Sequence, residues 1–409
     1  MSKEAPVTLG PFVKGVNNRL GDHELGDDMV RQAENVVLTD AGRMKLRPGH
    51  ELIQPATAAH SLFATENDVL FAAGAALNRY DVDADAVTPL RNDLGPTPVA
   101  YTEVSGETFY STDIVRGRVK SGAHRGWGVD NPPGLPVLTA VSGALPAGRY
   151  QVFVTFTNSY GEESGSSLAE AIELADNQGI AITGIPQPVS GEVSFVSLYC
   201  TPQNGDVFYL LANLAVGITS YTVLTGPVLG KQCKTQFLVP LPFASALAYA
   251  MGRIFGVSDK YVFYTEPLAY GLCDRRKNWL PFVSEPTLIA GVEDGLYICA
   301  DKTYFWNGEA LREILPYGAA FGSLAPLPDN NEWAWTWYSD RGQVFAGNSG
   351  QVKNLQEAML APESALRGAS MLYEADGMKQ VVSLFQSSGI EADAKATSFV
   401  SMEVRRKAP

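Results

Sequence analysis

Along most of the chain, hydrophobic and polar residues alternate in short runs closed by Gly, Asn, Asp or Pro. Runs of this length and period predict half-buried β-strands. Val69-Leu-Phe-Ala72, Thr108-Phe-Tyr-Ser111, Tyr150-Gln-Val-Phe-Val-Thr-Phe-Thr157 and Tyr261-Val-Phe-Tyr264 are examples. Helical spacing is confined to two short pieces, Asp28 to Asn35 and Leu355 to Leu366. The pattern therefore predicts an all-β protein.

The strands repeat as a unit: an apolar strand, a tight turn, a second strand and a third after a short loop. The unit occurs at Ser61–Ala72, Val99–Ser111, Ala246–Val257, Leu288–Cys299, Trp333–Ala346 and Ala369–Val382. Its turns fall near Asn67, Gly106, Gly252, Gly295, Gly342 and Gly377. Apart from one long gap, the spacing is roughly the 40 to 50 residues of a four-stranded propeller blade. One blade cannot cover its own faces, so such units must stack. The expectation is a β-propeller-like platform split into 1–130 and 227–409 by an insertion at 131–226.

The insertion begins with Asp130-Asn-Pro-Pro-Gly-Leu-Pro136, a stiff extended stretch. A turn, an alternating strand and a polar hairpin tip follow between Leu145 and Gly165. Further strands are expected at Gly179–Thr183, Phe195–Cys200, Val207–Leu211 and Ser220–Leu224. Six or seven short strands fit a small β-sandwich. No Cys-Trp-Cys pattern is present, which excludes an antibody-type domain and favours a fibronectin-like one.

Of the 409 residues, 45% are hydrophobic and only 18% charged, and the formal net charge is −13. A clamp on nucleic-acid phosphates would be basic, so an acidic chain argues against one. An acidic wall past which DNA slides remains allowed, since like charges repel. The longest nearly apolar run, Val207–Ile218, is short of a membrane-spanning helix. Met1-Ser-Lys-Glu-Ala-Pro6 has no apolar core, so no signal-peptide secretion is expected. Cys200, Cys233, Cys273 and Cys299 lack metal-binding spacing and read as buried reduced thiols.

Two N-terminal segments carry a resemblance. They are Gly10-Pro-Phe-Val-Lys-Gly-Val-Asn-Asn-Arg19 and Ala33-Glu-Asn-Val-Val-Leu-Thr-Asp-Ala-Gly-Arg-Met-Lys-Leu-Arg-Pro-Gly49. With Pro132-Pro-Gly134, Gly148–Ser164, Tyr264–Gly271 and Asp294–Gly308, in that order, the chain over about 8 to 310 resembles a phage family. That family is the tail nozzle proteins of short-tailed bacteriophages, also called packaged-DNA stabilisation or tail accessory proteins. The resemblance implies a structural virion protein, made in the host cytoplasm and located in the virion tail. It would form a homohexameric ring under the portal and adaptor, touching other tail proteins. DNA would leave through the lumen without specific binding, and nothing would insert into a membrane.

Candidate chemistry is sparse. Arg19, Arg43, Lys45 and Arg47 form the most basic stretch of an acidic chain. They read either as a solvated hairpin or, with Asn17 and Asn18, as an interface to carboxylates of a neighbouring subunit or adaptor. The N-terminal strand is also expected to close the propeller against a C-terminal strand. The four histidines are His23, His50, His60 and His124, and Asp22-His23-Glu24 reads as a polar loop. Asp81-Val-Asp-Ala-Asp85 opens like a calcium loop but has Ala86 and Asn92 where Gly and Glu belong. Glu162-Glu163 reads as a hairpin tip and Asp27-Asp28 as a helix first turn. Trp333, Trp335 and Trp337 alternate onto one side of a strand, as core, subunit contact or a stacking face for sugar. Phosphate-loop, nucleophile-elbow and zinc-helix motifs are missing. The expectation is therefore no enzyme, no cofactor and no metal. Two alternatives stand beside the nozzle reading: a receptor-binding tail protein that contacts host-surface glycan, and a propeller enzyme acting on polysaccharide.

Overall fold

The computed structural model describes residues 10–39, 41–47, 49, 52–327, 332–362, 364–375, 378–387 and 399–405. The described chain is all-β and built from many small antiparallel sheets. Five of these are four-stranded meanders, each with its strands in chain order. The first comprises Ala59–Ala64, Val69–Ala73, Ala76–Asp81 and Ala86–Arg91. The second comprises Ala100–Val104, Glu107–Ser111, Arg116–Lys120 and Ala123–Arg125. The third comprises Ala246–Ala250, Arg253–Ser258, Tyr261–Tyr264 and Trp279–Pro281. The fourth comprises Leu288–Val292, Gly295–Cys299, Thr303–Trp306 and Leu311–Leu315. The fifth comprises Ala325–Pro326, Trp335–Ser339, Gly342–Ala346 and Val352–Asn354.

The turn residues explain the hairpins. Ser105-Gly106, Ser121-Gly122 and Met251-Gly252 each form a two-residue loop with both φ values positive. That conformation matches the right-handed twist of the flanking strands, and glycine adopts it without strain. The turn expected near Gly377 lies outside the described residues.

By contacts the chain divides into two compact units, one of residues 58–281 and one of residues up to 57 together with 282 onward. In the first unit, meanders share cores. Leu70, Leu77, Tyr110 and Val119 meet between the first and second, and Val104, Phe109, Leu247 and Ile254 between the second and third. Burying each such side chain contributes roughly 1.5–3 kcal/mol. In the second unit, Tyr297 and Phe305 of the fourth meander pack on Trp337 and Val344 of the fifth. A three-stranded sheet of longer strands, Ala365–Ala375, Met378–Ser387 and Phe399–Arg405, takes the place of the expected sixth blade. Its Val381 and Phe385 pack against Phe345 and Tyr338 of the fifth meander.

The insertion is a two-sheet sandwich within the first unit. Its strands are β1 (Val137–Leu145), β2 (Gly148–Asn158), β3 (Glu170–Leu174), β4 (Gln178–Thr183), β5 (Val193–Cys200), β6 (Tyr209–Ala215) and β7 (Tyr221–Val223). One sheet has the order β1-β4-β7 and the other β3-β2-β5-β6. Val152, Val154, Ile180, Ile182, Val196 and Leu198 from both sheets form one core. The expected limits of 131 and 226 fall just outside β1 and β7.

Neither expected helix forms among the described residues. Backbone groups at Asp28 and Val30 bond to Lys14 and Asn17, and Met29–Val30 pairs in parallel with Gly15–Val16. The β-branched and apolar pair is thereby used as a strand. The second piece makes one turn, in which Met359 N and Leu360 N both donate to Gln356 O. Pro362 follows and cannot continue the ladder.

Candidate functional site

The N-terminal motif is committed within its own unit. Asn17 is buried, and its Oδ1 accepts Arg19 N at 3.1 Å and Leu20 N at 3.2 Å. This side-chain turn projects the next two residues outward. Asn18 N donates to Met359 O at 3.1 Å, and Arg19 Nε to Leu360 O at 2.7 Å. Asn18 Nδ2 donates to Ala361 O at 3.2 Å, and Ala361 N donates back to Asn18 Oδ1 at 2.7 Å. The carbonyls left over by the turn at 356–360 thus find donors, as helix ends require. Within this chain the hydrogen-bond partners of Asn17, Asn18 and Arg19 are backbone groups. The N-terminal segment reaches this C-terminal turn through one backbone bond and several side-chain bonds, while among the described residues its strand pairs with Met29–Val30.

Arg43 and Arg47 lie exposed on a separate two-stranded hairpin, Val36–Leu38 with Met44–Leu46. Met44 and Leu46 are exposed beside them. The hairpin turn needs Gly42, whose φ is +71° and whose added Cβ would lie 2.6 Å from Phe12 N. Thr39 closes the turn, its Oγ1 accepting Arg43 N at 3.0 Å. Asp40 and His50, in the same stretch, lie outside the described residues.

The most connected polar site joins the second meander to the sandwich tip. Arg118 is buried, and donates from Nε to Gly126 O at 2.9 Å and from NH2 to Glu162 Oε2 at 2.6 Å. Glu107 Oε1 accepts from Arg125, at 2.8 Å from its Nε, and lies 3.5 Å from Arg118 Nε. The Arg125 guanidinium lies 4.7 Å above the Tyr160 ring. Glu192 Oε1 accepts Gly126 N at 3.0 Å, and a Cβ at Gly126 would strike the same carboxylate. Asn158 shapes the tip, with Oδ1 accepting Tyr160 N and Glu162 N and Nδ2 donating to Glu162.

The paired carboxylates therefore diverge. Glu162 faces Arg118, whereas Glu163 faces the sandwich and accepts from Thr155 Oγ1 and Tyr199 OH, each at 2.7 Å. Burial, and then the bond to Glu163, hold the Tyr199 hydroxyl far above its usual range.

The two linkers of the insertion are also pinned. Arg116 donates to Trp127 O at 2.9 Å, to Leu241 O at 3.1 Å and to Asp130 Oδ1 at 2.6 Å. Asn131 Nδ2 donates to Leu238 O at 2.9 Å. One side chain of the second meander thus touches both the outgoing and the returning chain. The sequence signal was the second basic run, Arg116, Arg118, Lys120 and Arg125, which sequence reasoning passed over in favour of the N-terminal one.

The remaining candidates have structural surroundings. Trp337 is fully buried in the core shared with Tyr297, and half-buried Trp335 donates to Gly291 O at 2.6 Å. Trp333 lies in a different core with Phe345 and Leu372. The three tryptophans thus split between two cores and do not make an open stacking face. All four cysteines are buried and free. Burial pushes the Cys200, Cys273 and Cys299 thiols up to about 12. Asp81 accepts Ala84 N and pairs with Arg79, and Asp85 accepts Tyr80 OH. Among the described residues no three His, Cys, Asp or Glu side chains converge as a metal site. Asp22 pairs with Arg31, Asp28 pairs with Lys14, and His60 contacts Ser61. His124 Nε2 lies 2.6 Å from the buried Tyr110 hydroxyl, which accepts from Arg91 at 3.0 Å.

No protein-family model and no curated protein matches this chain. Among solved structures it is similar to apo AztD from Citrobacter koseri, at 14% identity over 72% of this chain and 85% of that one, with a TM-score of 0.27. It is also similar to Kluyveromyces lactis Hsv2, at 8% identity over 84% and 96% of the two chains, with a TM-score of 0.27. Saccharomyces cerevisiae Sqt1 matches at 10% identity over 73% and 98%, with a TM-score of 0.18. Likenesses this slight carry neither fold nor function to this chain.

Proposed function

We propose that this chain is a structural virion protein of a bacteriophage tail. In this reading the five meanders are blades of a β-propeller-like platform. The inserted sandwich, fibronectin- or immunoglobulin-like in architecture, is a rigid arm on it. Six copies form a ring, the nozzle of the tail tube, below the portal and adaptor. The ring retains packaged DNA and becomes its exit channel at ejection. The protein is made in the host cytoplasm and resides in the virion tail.

One observation supports this reading above the others. The sandwich is fixed to its meander by Arg118 on Glu162 and Arg125 over the Tyr160 ring at the tip, and by Arg116 across both linkers. A flexible linker would leave the sandwich free to sample orientations. A framework component works by fit, and buried guanidinium bonds hold geometry well. The net charge of −13 is compatible with a wall that DNA passes without sticking. The alternative, a receptor-binding tail protein contacting host-surface glycan, loses its tryptophan face to the core. What favours it is the exposed pair Tyr261 and Trp279, edge to face at 5.7 Å.

The test is the assembly state of the purified chain, alone and mixed with the phage's adaptor ring, by native mass and electron-microscope class averages. A ring of six with a hole wide enough for duplex DNA is expected. Monomers or trimers that ignore the adaptor, or a lumen lined with Lys and Arg, would overturn the nozzle reading.

A further inference from the structure

The sandwich contains a cavity of about 190 Å³ between its two sheets. Its origin is local. Strand β7 has only three residues, and β1 breaks register between Ser142 and Leu145. The β1-β4-β7 sheet thus ends in a three-residue edge strand, and residues after it complete the lining. Gly226, Pro227 and Leu229, just after β7, line the opening.

The wall is apolar, formed by Leu145, Val152, Ile180, Ile182, Leu211 and Val223. Four polar side chains also reach it, and each is already used. Tyr150 OH donates to Pro146 O at 3.0 Å, and Cys200 Sγ to Thr201 O at 3.2 Å. Thr201 Oγ1 accepts Gln151 N at 3.0 Å, and Gln203 Nε2 donates to Ala147 O at 2.6 Å. A buried water needs two to four polar partners, and this wall offers little for one to hold. Dry apolar cavities of ~150 Å³ take up benzene or xenon. This cavity is larger and opens to the surface.

We propose that the sandwich cavity is a binding site for a small apolar molecule, a single hydrocarbon ring or short alkyl group without hydrogen-bonding demand. The few polar side chains at the wall are each engaged with backbone, so the site selects chiefly by size and apolarity. The inference stands apart from the nozzle reading, because it concerns only the interior of the inserted domain.

The experiment uses the full chain with benzene and phenol as probes, read by hydrogen exchange of the β4 and β7 amides, with xenon uptake as a second measurement. Benzene should bind saturably at one site and slow exchange in β4 and β7 several-fold. Phenol, whose hydroxyl must leave water without a partner, should bind at least tenfold more weakly. Leu229→Trp, a change at the opening, and Val223→Phe, which fills the interior, should each weaken benzene binding at least tenfold. If Val223→Phe does not fold, Leu229→Trp and the benzene-to-phenol comparison in the unaltered chain still decide. No saturable benzene binding, equal binding of phenol, or benzene binding undiminished in Leu229→Trp would overturn the site.

Discussion

Asn18 and Ala361 exchange two hydrogen bonds across 343 positions of sequence, side-chain amide against backbone. The Asn18 amide imitates the exchange that paired residues of an antiparallel ladder make. It closes the N-terminal segment onto the turn at 356–361 without adding a strand. Asn18→Ala removes both bonds and should cost about 1–2 kcal/mol, since each net bond is worth about 1 kcal/mol. Asn18→Asp keeps the acceptor for Ala361 N and should cost less. Chemical denaturation gives the energies, and faster exchange of the Ala361 amide locates them. An unchanged Ala361 amide in Asn18→Ala would refute the assignment.

Arg118 and Glu162 are the central pair of the sandwich mount. The Arg118 side chain is 7% exposed and Glu162 38%, so the pair lies between the surface and buried regimes. Arg118→Ala should therefore cost about 2–3 kcal/mol, between the values for exposed and buried pairs. Arg118→Lys should recover little, because one ammonium cannot reproduce the fork to Gly126 O and Glu162. Limited proteolysis at 158–164 should accelerate in both variants. A tip that stays protected in Arg118→Ala would mean that the mount does not depend on this residue.

These sites differ in how far sequence could reach them. Period-two alternation and Ser-Gly or Met-Gly turns are local, so the five meanders and five of the seven sandwich strands were legible, while Val137–Leu145 and Glu170–Leu174 were not. Arg116 to Leu241 spans 125 positions and Arg118 to Glu162 spans 44. No local pattern encodes such pairs. The helix expected at 355–366 had a real origin, the single turn from Gln356 to Leu360, but Pro362 cuts it off. Alternation placed three tryptophans on one face, yet the regular strand begins only at Trp335. Trp333 precedes it and is free to turn into a second core.

His124 should give stability a pH dependence in weak acid. Burial, and then the positive charge of Arg91, lower its pKa from the ordinary 6.5, while Glu192 and Asp93 oppose them. The folded chain thus refuses a proton that the unfolded chain accepts just below pH 6.5. Stability is full above that value, falls as pH drops through the window beneath it, and levels off below the folded pKa. His124→Gln, which keeps a polar group toward Tyr110, should flatten this slope below about pH 6.5. Urea midpoints at several pH values test it, and an unaltered slope in the variant would assign the dependence elsewhere.

Gly42 and Gly15 separate backbone strain from collision. Both have positive φ, +71° and +77°. A Cβ at Gly15 meets nothing within 4 Å, whereas one at Gly42 would lie 2.6 Å from Phe12 N and 2.7 Å from Val13 N. Gly15→Ala should cost only the left-handed penalty of about 1–2 kcal/mol. Gly42→Ala must also break the bond from Phe12 N to Gly42 O, so it should cost distinctly more and expose the Phe12 amide. Equal costs in thermal unfolding would show that residues 10–13 can shift freely.

Trp337 and Trp335 give the sharpest contrast, because two neighbouring indoles are predicted to respond oppositely. Trp337 is fully buried, and its Nε1–H has no hydrogen-bond partner among the described residues. Trp335 donates its Nε1–H to Gly291 O at 2.6 Å. Leaving a buried donor unpaired costs about 1–3 kcal/mol, which Trp337→Phe would recover. The smaller ring leaves a void, at about 24 cal/mol per Å³, that offsets a similar amount. Trp337→Phe should therefore be nearly neutral despite its place at the centre of the core. Trp335→Phe loses a satisfied bond with no such return and should be destabilising by about 1 kcal/mol or more. Denaturation of both variants decides it. A Trp337→Phe loss as large as that of Trp335→Phe would mean that its N–H is satisfied in solution.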